Sequence, residues 1–333
     1  MDPNAIHSRF AAGSGMPIGS LPRGETNSIT DVNGVHVGHL SISDGEVNTG
    51  ITVVSPHSVA DENGLYFFGK YTCGSGGEMT GYSVMDDFGL LSAPVFMVNL
   101  LSVGKIYNGA ITHAFTRGRG LPTSGGWPPV VMGFDDRLLN DMTARRLTED
   151  HVLTTVASAS ADNTEEGNVG AGVAAVAFGF KGGIGTASRV IEIGEKRYTV
   201  GSLVLVNFGS TEEFADEAEA IPTENVFPSL LGVVATDAAL PSPALDTLAA
   251  EAAAGAADIG SNRKPAGSYQ IVSFSTGMVV REQDADRIHH LKFAPEFSHS
   301  ELRQGAREAS TEAVLNALSA AETLAGAGGR TAR

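Results

Sequence analysis

The sequence predicts an α+β fold in which layered sheets carry a few flanking helices, and three observations lead there. Short β-branched and apolar runs recur along the chain. Helical segments are few and do not alternate strictly with strands, which argues against a doubly wound parallel sheet. Glycine is abundant, 41 of 333 residues against a usual ~7%, so many tight turns and close backbone approaches are expected.

The elements follow in order. Residues 1–20 are rich in Gly, Ser and Pro without periodicity and predict a flexible arm over 1–24, followed by a single domain over 25–333. Residues 29–37 read as a strand, an Asn33-Gly34 turn and a second strand. Further short strands are expected at 51–54 and 65–68. A glycine-dense loop, Cys73-Gly74-Ser75-Gly76-Gly77, leads into a helix ending near Asp87. The runs 94–100 and 129–132 read as buried strands, 148–158 as a helix, and 189–193 with 198–208 as a hairpin. An acidic irregular stretch, 209–227, predicts a mobile loop. Beyond it come a buried strand at 230–236, an alanine-rich helix at 243–258, a strand at 269–276 and a long amphipathic helix at 301–324.

Composition narrows the function. Apolar residues make up 42% and charged residues 18%, a globular balance. The longest apolar runs fall far short of the ~18–20 residues of a membrane span, and the first twenty residues hold no apolar block of signal-peptide length. The net charge is −16, from 22 basic and 38 acidic side chains. No Lys/Arg cluster of the kind that displaces counterions from nucleic acid is visible. A single cysteine, Cys73, excludes an internal disulfide framework. The expectation is a cytoplasmic enzyme with neither a nucleic-acid nor a membrane partner.

Metal and phosphate motifs are weak. His36 with His39, and His289 with His290 near Asp284 and Asp286, lack shared-ligand geometry on strands, so no metal and no cofactor is expected. Gly179-Phe180-Lys181-Gly182-Gly183 places its lysine too early for a phosphate loop. Ser75 resembles a nucleophile elbow, but Cys73 stands where that motif needs its first glycine. Ser229, directly before a buried strand and after the acidic loop, reads on residue type alone as a turn residue.

Longer motifs add a family resemblance. The segment 230–241 (LLGVVATDAALP) resembles the start of the small subunit in the β-peptidyl aminopeptidase family, which also holds the L-aminopeptidase/D-amidase-esterases. Residues 27–39 (NSITDVNGVHVGH), Glu78-Met79-Thr80-Gly81, Ser102-Val103-Gly104 and Leu139-Asn140-Asp141 match in order. So do Glu166-Gly167-Asn168-Val169-Gly170, residues 179–189 (GFKGGIGTASR), Phe274-Ser275-Thr276 and residues 312–318 (EAVLNAL). Together they cover about 25–325.

The resemblance implies a four-layer αββα sandwich similar to N-terminal-nucleophile hydrolases. It also implies a chain that cuts itself between Pro228 and Ser229, giving an α-chain 1–228 and a β-chain 229–333, and a homo-oligomer of αβ units, often tetrameric. Its implied roles are Ser229 as nucleophile, Asn207 as oxyanion donor and Ser268 as the residue orienting the nucleophile. The implied activity is hydrolysis of an amide or ester in a small peptide, with an N-terminal β- or D-residue, through an acyl-enzyme.

Two departures bear on the substrate. The glutamate that grips the substrate ammonium in relatives aligns with Gly133; nearby Asp135 or Asp136 is the candidate substitute, and Phe134 is a further expected substrate contact. The acid expected two residues after Ser268 is Gln270, which hydrogen-bonds but carries no charge. Asn168 is expected to shape the pocket wall. These departures leave two alternatives open: an amidase or esterase for substrates without a free amine, and an uncleaved homologue that only binds.

Overall fold

The computed structural model describes residues 18–57, 64–74, 76–116, 129–210, 221, 223, 226–259, 267–281, 290–296 and 299–333. Ser75, Asp284, Asp286, His289 and most of the acidic stretch 209–227 lie outside the described residues, as do residues 1–17 of the expected arm. Residues 18–24 are tied down: Ser20 and Leu21 donate their N–H groups to the Glu308 carboxylate at 3.0 Å each, and Gly24 N–H donates to Ser188 Oγ.

Two sheets form the centre. The first contains β1 (His36–Asp44), β2 (Val47–Ser55), β4 (Glu78–Met79), β6 (Val95–Asn99) and β7 (Val130–Phe134), in the order β1-β2-β6-β7-β4. The second contains β3 (Gly64–Cys73), β5 (Leu90–Leu91), β10 (Gly183–Ile193), β11 (Lys196–Asn207), β12 (Ser229–Thr236) and β13 (Ser268–Arg281), in the order β10-β11-β12-β13-β3-β5. The two-residue strands β8 (Val176–Ala177) and β9 (Phe180–Lys181) pair together, as do β14 (Leu324–Ala325) and β15 (Thr331–Ala332). The helices are α1 (Tyr82–Phe88), α2 (Val103–Thr116), α3 (Glu149–Ala157), α4 (Ser242–Ala257) and α5 (His299–Ala320).

The buried side chains sort into layers as the period-two alternation of strands requires. Val53, Phe96, Val98 and Val131 pack against α2 and α3. Their neighbours Val54, Val95, Met97, Val130 and Met132 face the second sheet, meeting Leu203, Leu205, Leu231, Val233 and Phe274. On the far side, Val204, Val206, Leu230, Val234 and Ile271 pack against α4 and α5. The order is helix, sheet, sheet, helix, the four-layer αββα sandwich expected.

Local chemistry explains the turns. The pairs β1–β2 and β10–β11 are hairpins with two-residue loops whose first residues, Gly45 and Gly194, have φ of +63° and +64°, a left-handed conformation that favours glycine. Alanine lets α4 approach α5 so closely that a Cβ on Gly255 would stand 2.2 Å from the Arg307 carbonyl oxygen.

Two expectations need correction. Residues 29–31 are a 3₁₀ turn rather than a strand, because Ser28 caps Thr30 N–H and Asp31 accepts from Ser28 N–H in return. The helix α2 was not anticipated, since its β-branched residues and two glycines suit no helix by propensity. Packing overrides that preference: a Cβ at Gly109 would come within 2.6 Å of Val152 on α3, so glycine permits the two helices to close on each other.

Candidate active site

The β11–β12 and β12–β13 ladders meet at one end of the second sheet. There Asn207 ends β11 opposite Ser229, and Ser229 opens β12 beside Ser268, the first residue of β13. Asn207 shares its face with Leu203 and Leu205, Ser229 with Leu231 and Val233, and Ser268 with Val272 and Phe274, all of them inter-sheet residues. Alternation thus turns three polar side chains from three consecutive strands into the gap between the sheets. All are buried, Ser229 completely.

Each is held differently. Asn207 Oδ1 accepts from Val176 N–H at 2.9 Å while Nδ2 donates to the Asp135 carbonyl at 3.1 Å, so the amide is oriented from both ends. The Ser229 hydroxyl lies within hydrogen-bond distance of two carbonyls, Gly76 O at 3.0 Å and Phe227 O at 3.1 Å. Ser268 Oγ and Gln270 Oε1 are buried without a hydrogen-bond partner among the described residues, unusual for polar atoms in a folded interior. Both belong to the inter-sheet face of β13, beside β12.

The chain before Ser229 is clasped by the loop after β7. Phe227 N–H donates to Asp135 Oδ2 at 3.3 Å, Asp135 Oδ1 pairs with Arg137 Nε at 2.8 Å, and the Arg137 guanidinium lies 5.7 Å from the centre of the Phe227 ring. A cavity of about 210 Å³ opens here, with Asp135, Asn207, Val226 and Pro228 in its wall.

The other expected site residues sit apart from this group. Phe134 is fully buried in the inter-sheet core. Asp136 accepts two 3.0 Å hydrogen bonds from Asn140 Nδ2. Burial, against those hydrogen bonds and with some help from the Asp135 charge, pushes its pKa up to about 8. Asn168 ties its loop to the end of α5, donating to Glu322 O and accepting from Glu322 N–H. Gly133 pairs with Glu78 across β4–β7. Among the described residues no three His, Cys, Asp or Glu side chains converge as metal ligands do. Residue-type reasoning missed the carbonyl of Gly76 and the Arg137–Phe227 contact; the Gly74/Gly76/Gly77 cluster was the only trace of the former, and long-range packing alone creates the latter.

The model of peptidase family S58 matches residues 27–332, nearly the whole chain. The chain belongs to peptidase family S58. It is 33% identical to the β-peptidyl aminopeptidase BapA of Sphingosinicella microcystinivorans, over 95% of this chain and 87% of that protein. A Burkholderia β-aminopeptidase superposes with a TM-score of 0.84 at 31% identity, covering 96% of this chain and 94% of that one. The L-aminopeptidase D-Ala-esterase/amidase of Ochrobactrum anthropi, described as a variant of the N-terminal-nucleophile hydrolase fold, gives 0.85 at 27% identity, covering 97% and 94%. This S58 member is a hydrolase of the serine aminopeptidase/amidase type.

Proposed function

We propose that the enzyme becomes active by cutting its own Pro228–Ser229 bond and then removes N-terminal β- or D-configured residues from small peptides and amides through an acyl-enzyme on Ser229. The observation that carries this reading is the register row Asn207–Ser229–Ser268, whose Asn207 lines the cavity together with Pro228, the residue before Ser229. A serine hydroxyl needs a base to become a nucleophile. Cutting before Ser229 releases an α-amine on the same residue, and such amines titrate at ~7.7–8.0, so the neutral form takes the hydroxyl proton near working pH. Ser268 Oγ and Gln270 Oε1, without partners among the described residues, are acceptors for the N–H groups of that new amine.

Substrate then enters where Phe227 and Pro228 lie before the cut. Its carbonyl meets Ser229 Oγ. The Asn207 amide carries two N–H groups, one spent on Asp135 O, and the other serves the oxyanion. Asp135 Oδ2, which holds Phe227 N–H before the cut, accepts the ammonium of the substrate afterwards. That carboxylate in the cavity wall favours a free-amine substrate over the alternative in which none is needed.

Denaturing electrophoresis with intact mass tests the first step: fragments 1–228 and 229–333 replace the 34.4 kDa chain, and Ser229→Ala retains the single chain. Hydrolysis of β-alanyl p-nitroanilide beside its N-acetyl form tests the second. Equal rates on the two would remove the ammonium site, and a wild type that never cuts would overturn the reading as a whole.

A further inference from the structure

Beyond the roles of Ser229, Asn207 and Ser268 Oγ stands a set of backbone contacts around the bond to be cut. Ser268 N–H donates to the Pro228 carbonyl oxygen at 2.9 Å. This carbonyl is the one that Ser229 Oγ must attack. Gly267, immediately before that donor, has φ of +132°, and a Cβ there would lie 2.3 Å from the Pro228 oxygen and 2.8 Å from its carbon. On the opposite flank, Gly76 accepts the Ser229 hydroxyl at 3.0 Å, and a Cβ on Gly76 would lie 3.0 Å from the Pro228 oxygen. Gly74 lies against the first flank, since its Cβ would meet the Gly267 oxygen and Ser268 Cα at 2.9 Å each. Gly76 and Gly267, from two distant segments, thus hold backbone against the scissile peptide, where a Cβ at position 267 would collide with the carbonyl and one at position 76 would crowd it.

We propose that this cradle is the oxyanion site of self-cleavage, separate from the Asn207 donor: Ser268 N–H receives the charge on the Pro228 oxygen, and Gly267 and Gly76 are positioning residues that let the carbonyl and the hydroxyl meet. The proposal rests on the self-cutting reading above. Ser229 Oγ adds to the Pro228 carbonyl carbon, and the π electrons move onto the oxygen facing Ser268 N–H. The carbon–nitrogen bond then breaks, and the Ser229 nitrogen takes the proton that left the hydroxyl. An ester remains between Pro228 and Ser229 Oγ beside a free amine. Water hydrolyses that ester, leaving a Pro228 carboxylate and restoring the hydroxyl. An N–H already hydrogen-bonded to the carbonyl in the uncut chain needs no reorganisation to stabilise the developing charge. The contact is also the first rung of the β12–β13 parallel ladder, so the sheet itself fixes the donor.

This role differs from a structural one in what it predicts. Removing an oxyanion donor slows acyl chemistry by ~10²–10³; displacing the carbonyl from it, as a Cβ at position 267 does, is expected to slow cutting at least about tenfold. The test is the time course of the uncut chain, by intact mass, in wild type, Gly267→Ala and Gly76→Ala, with the melting midpoint of each uncut chain compared against Ser229→Ala. The expected result is that both glycine variants purify largely uncut and convert slowly, with Gly267→Ala slower, while their midpoints stay within a few degrees of Ser229→Ala. Gly76→Ala keeps the test decisive if Gly267→Ala fails to fold, because its nearest contacts are 3.0 Å or longer and yield by tenths of an ångström. Wild-type cutting rates in the folded variants would overturn the cradle while leaving self-cutting intact. A wild type that does not cut would instead overturn the underlying reading.

Discussion

Asn207→Asp separates the donor from the scaffold. The carboxylate oxygen that replaces Oδ1 still accepts Val176 N–H at 2.9 Å, so the link to β8 survives. The other oxygen replaces Nδ2, loses the hydrogen bond to Asp135 O at 3.1 Å and offers no N–H to an oxyanion. Loss of one such donor costs ~2.7–4 kcal/mol, or ~10²–10³ in kcat, and a second negative charge beside the oxyanion adds to that. Because the donor acts on the transition state, KM should change little while kcat and kcat/KM fall together. The assay is nitroaniline release from β-alanyl p-nitroanilide, normalised to the cut fraction found by intact mass so that slow processing is not mistaken for slow turnover. A kcat within about threefold of wild type would remove Asn207 from the oxyanion site.

Two further perturbations address stability. Arg189 is almost fully buried and pairs with Glu312 at 2.5 Å and Glu308 at 3.3 Å, the latter also holding Ser20 and Leu21. Arg189→Met leaves Glu308 without its cation and Glu312 with only the half-exposed Arg23, 2.7 Å away, a loss of ~3–5 kcal/mol. At about 2.1 cal/mol/K per residue that lowers the melting midpoint by roughly 4–7 °C, and an unchanged midpoint would contradict the network. Asp136 stays protonated in the fold up to about pH 8 but ionises near 3.8 when unfolded. The folded state therefore binds the extra proton across that window, and this residue's contribution to stability declines as pH rises through it. Relative to wild type, Asp136→Asn should gain stability at up to about 1.4 kcal/mol per pH unit between pH 5 and 7.5, read by urea unfolding. A pH-independent difference would show that Asp136 is not the titrating group.

Much of the site was legible in the sequence because its information is local. The motif order around 230–241 and 166–189 carried the resemblance that implied roles for Asn207, Ser229 and Ser268, whereas on residue type alone Ser229 reads as a turn residue and the continuous apolar run 203–206 does not say which face Asn207 takes. Local patterns failed where distant packing outweighed propensity, as in α2 against Val152, or where a side chain's partner came from far along the chain, as with Asn168 and Glu322.

What the sequence determined by itself is the α+β class, most of the strands and, through the order of its motifs, the family resemblance that implied the four layers, since apolar runs and motif order depend only on neighbours in the chain. What the tertiary structure decided is register and juxtaposition. Only the pairing of β12 between β11 and β13 sets Asn207, Ser229 and Ser268 in one row. Only the approach of the loops holding Gly76 and Gly267 surrounds the Pro228 carbonyl with backbone instead of side chains. Hydrogen-bond ladders and close contacts form between segments brought together by burial of the inter-sheet core, and no pattern within one segment encodes which atom of another it will meet.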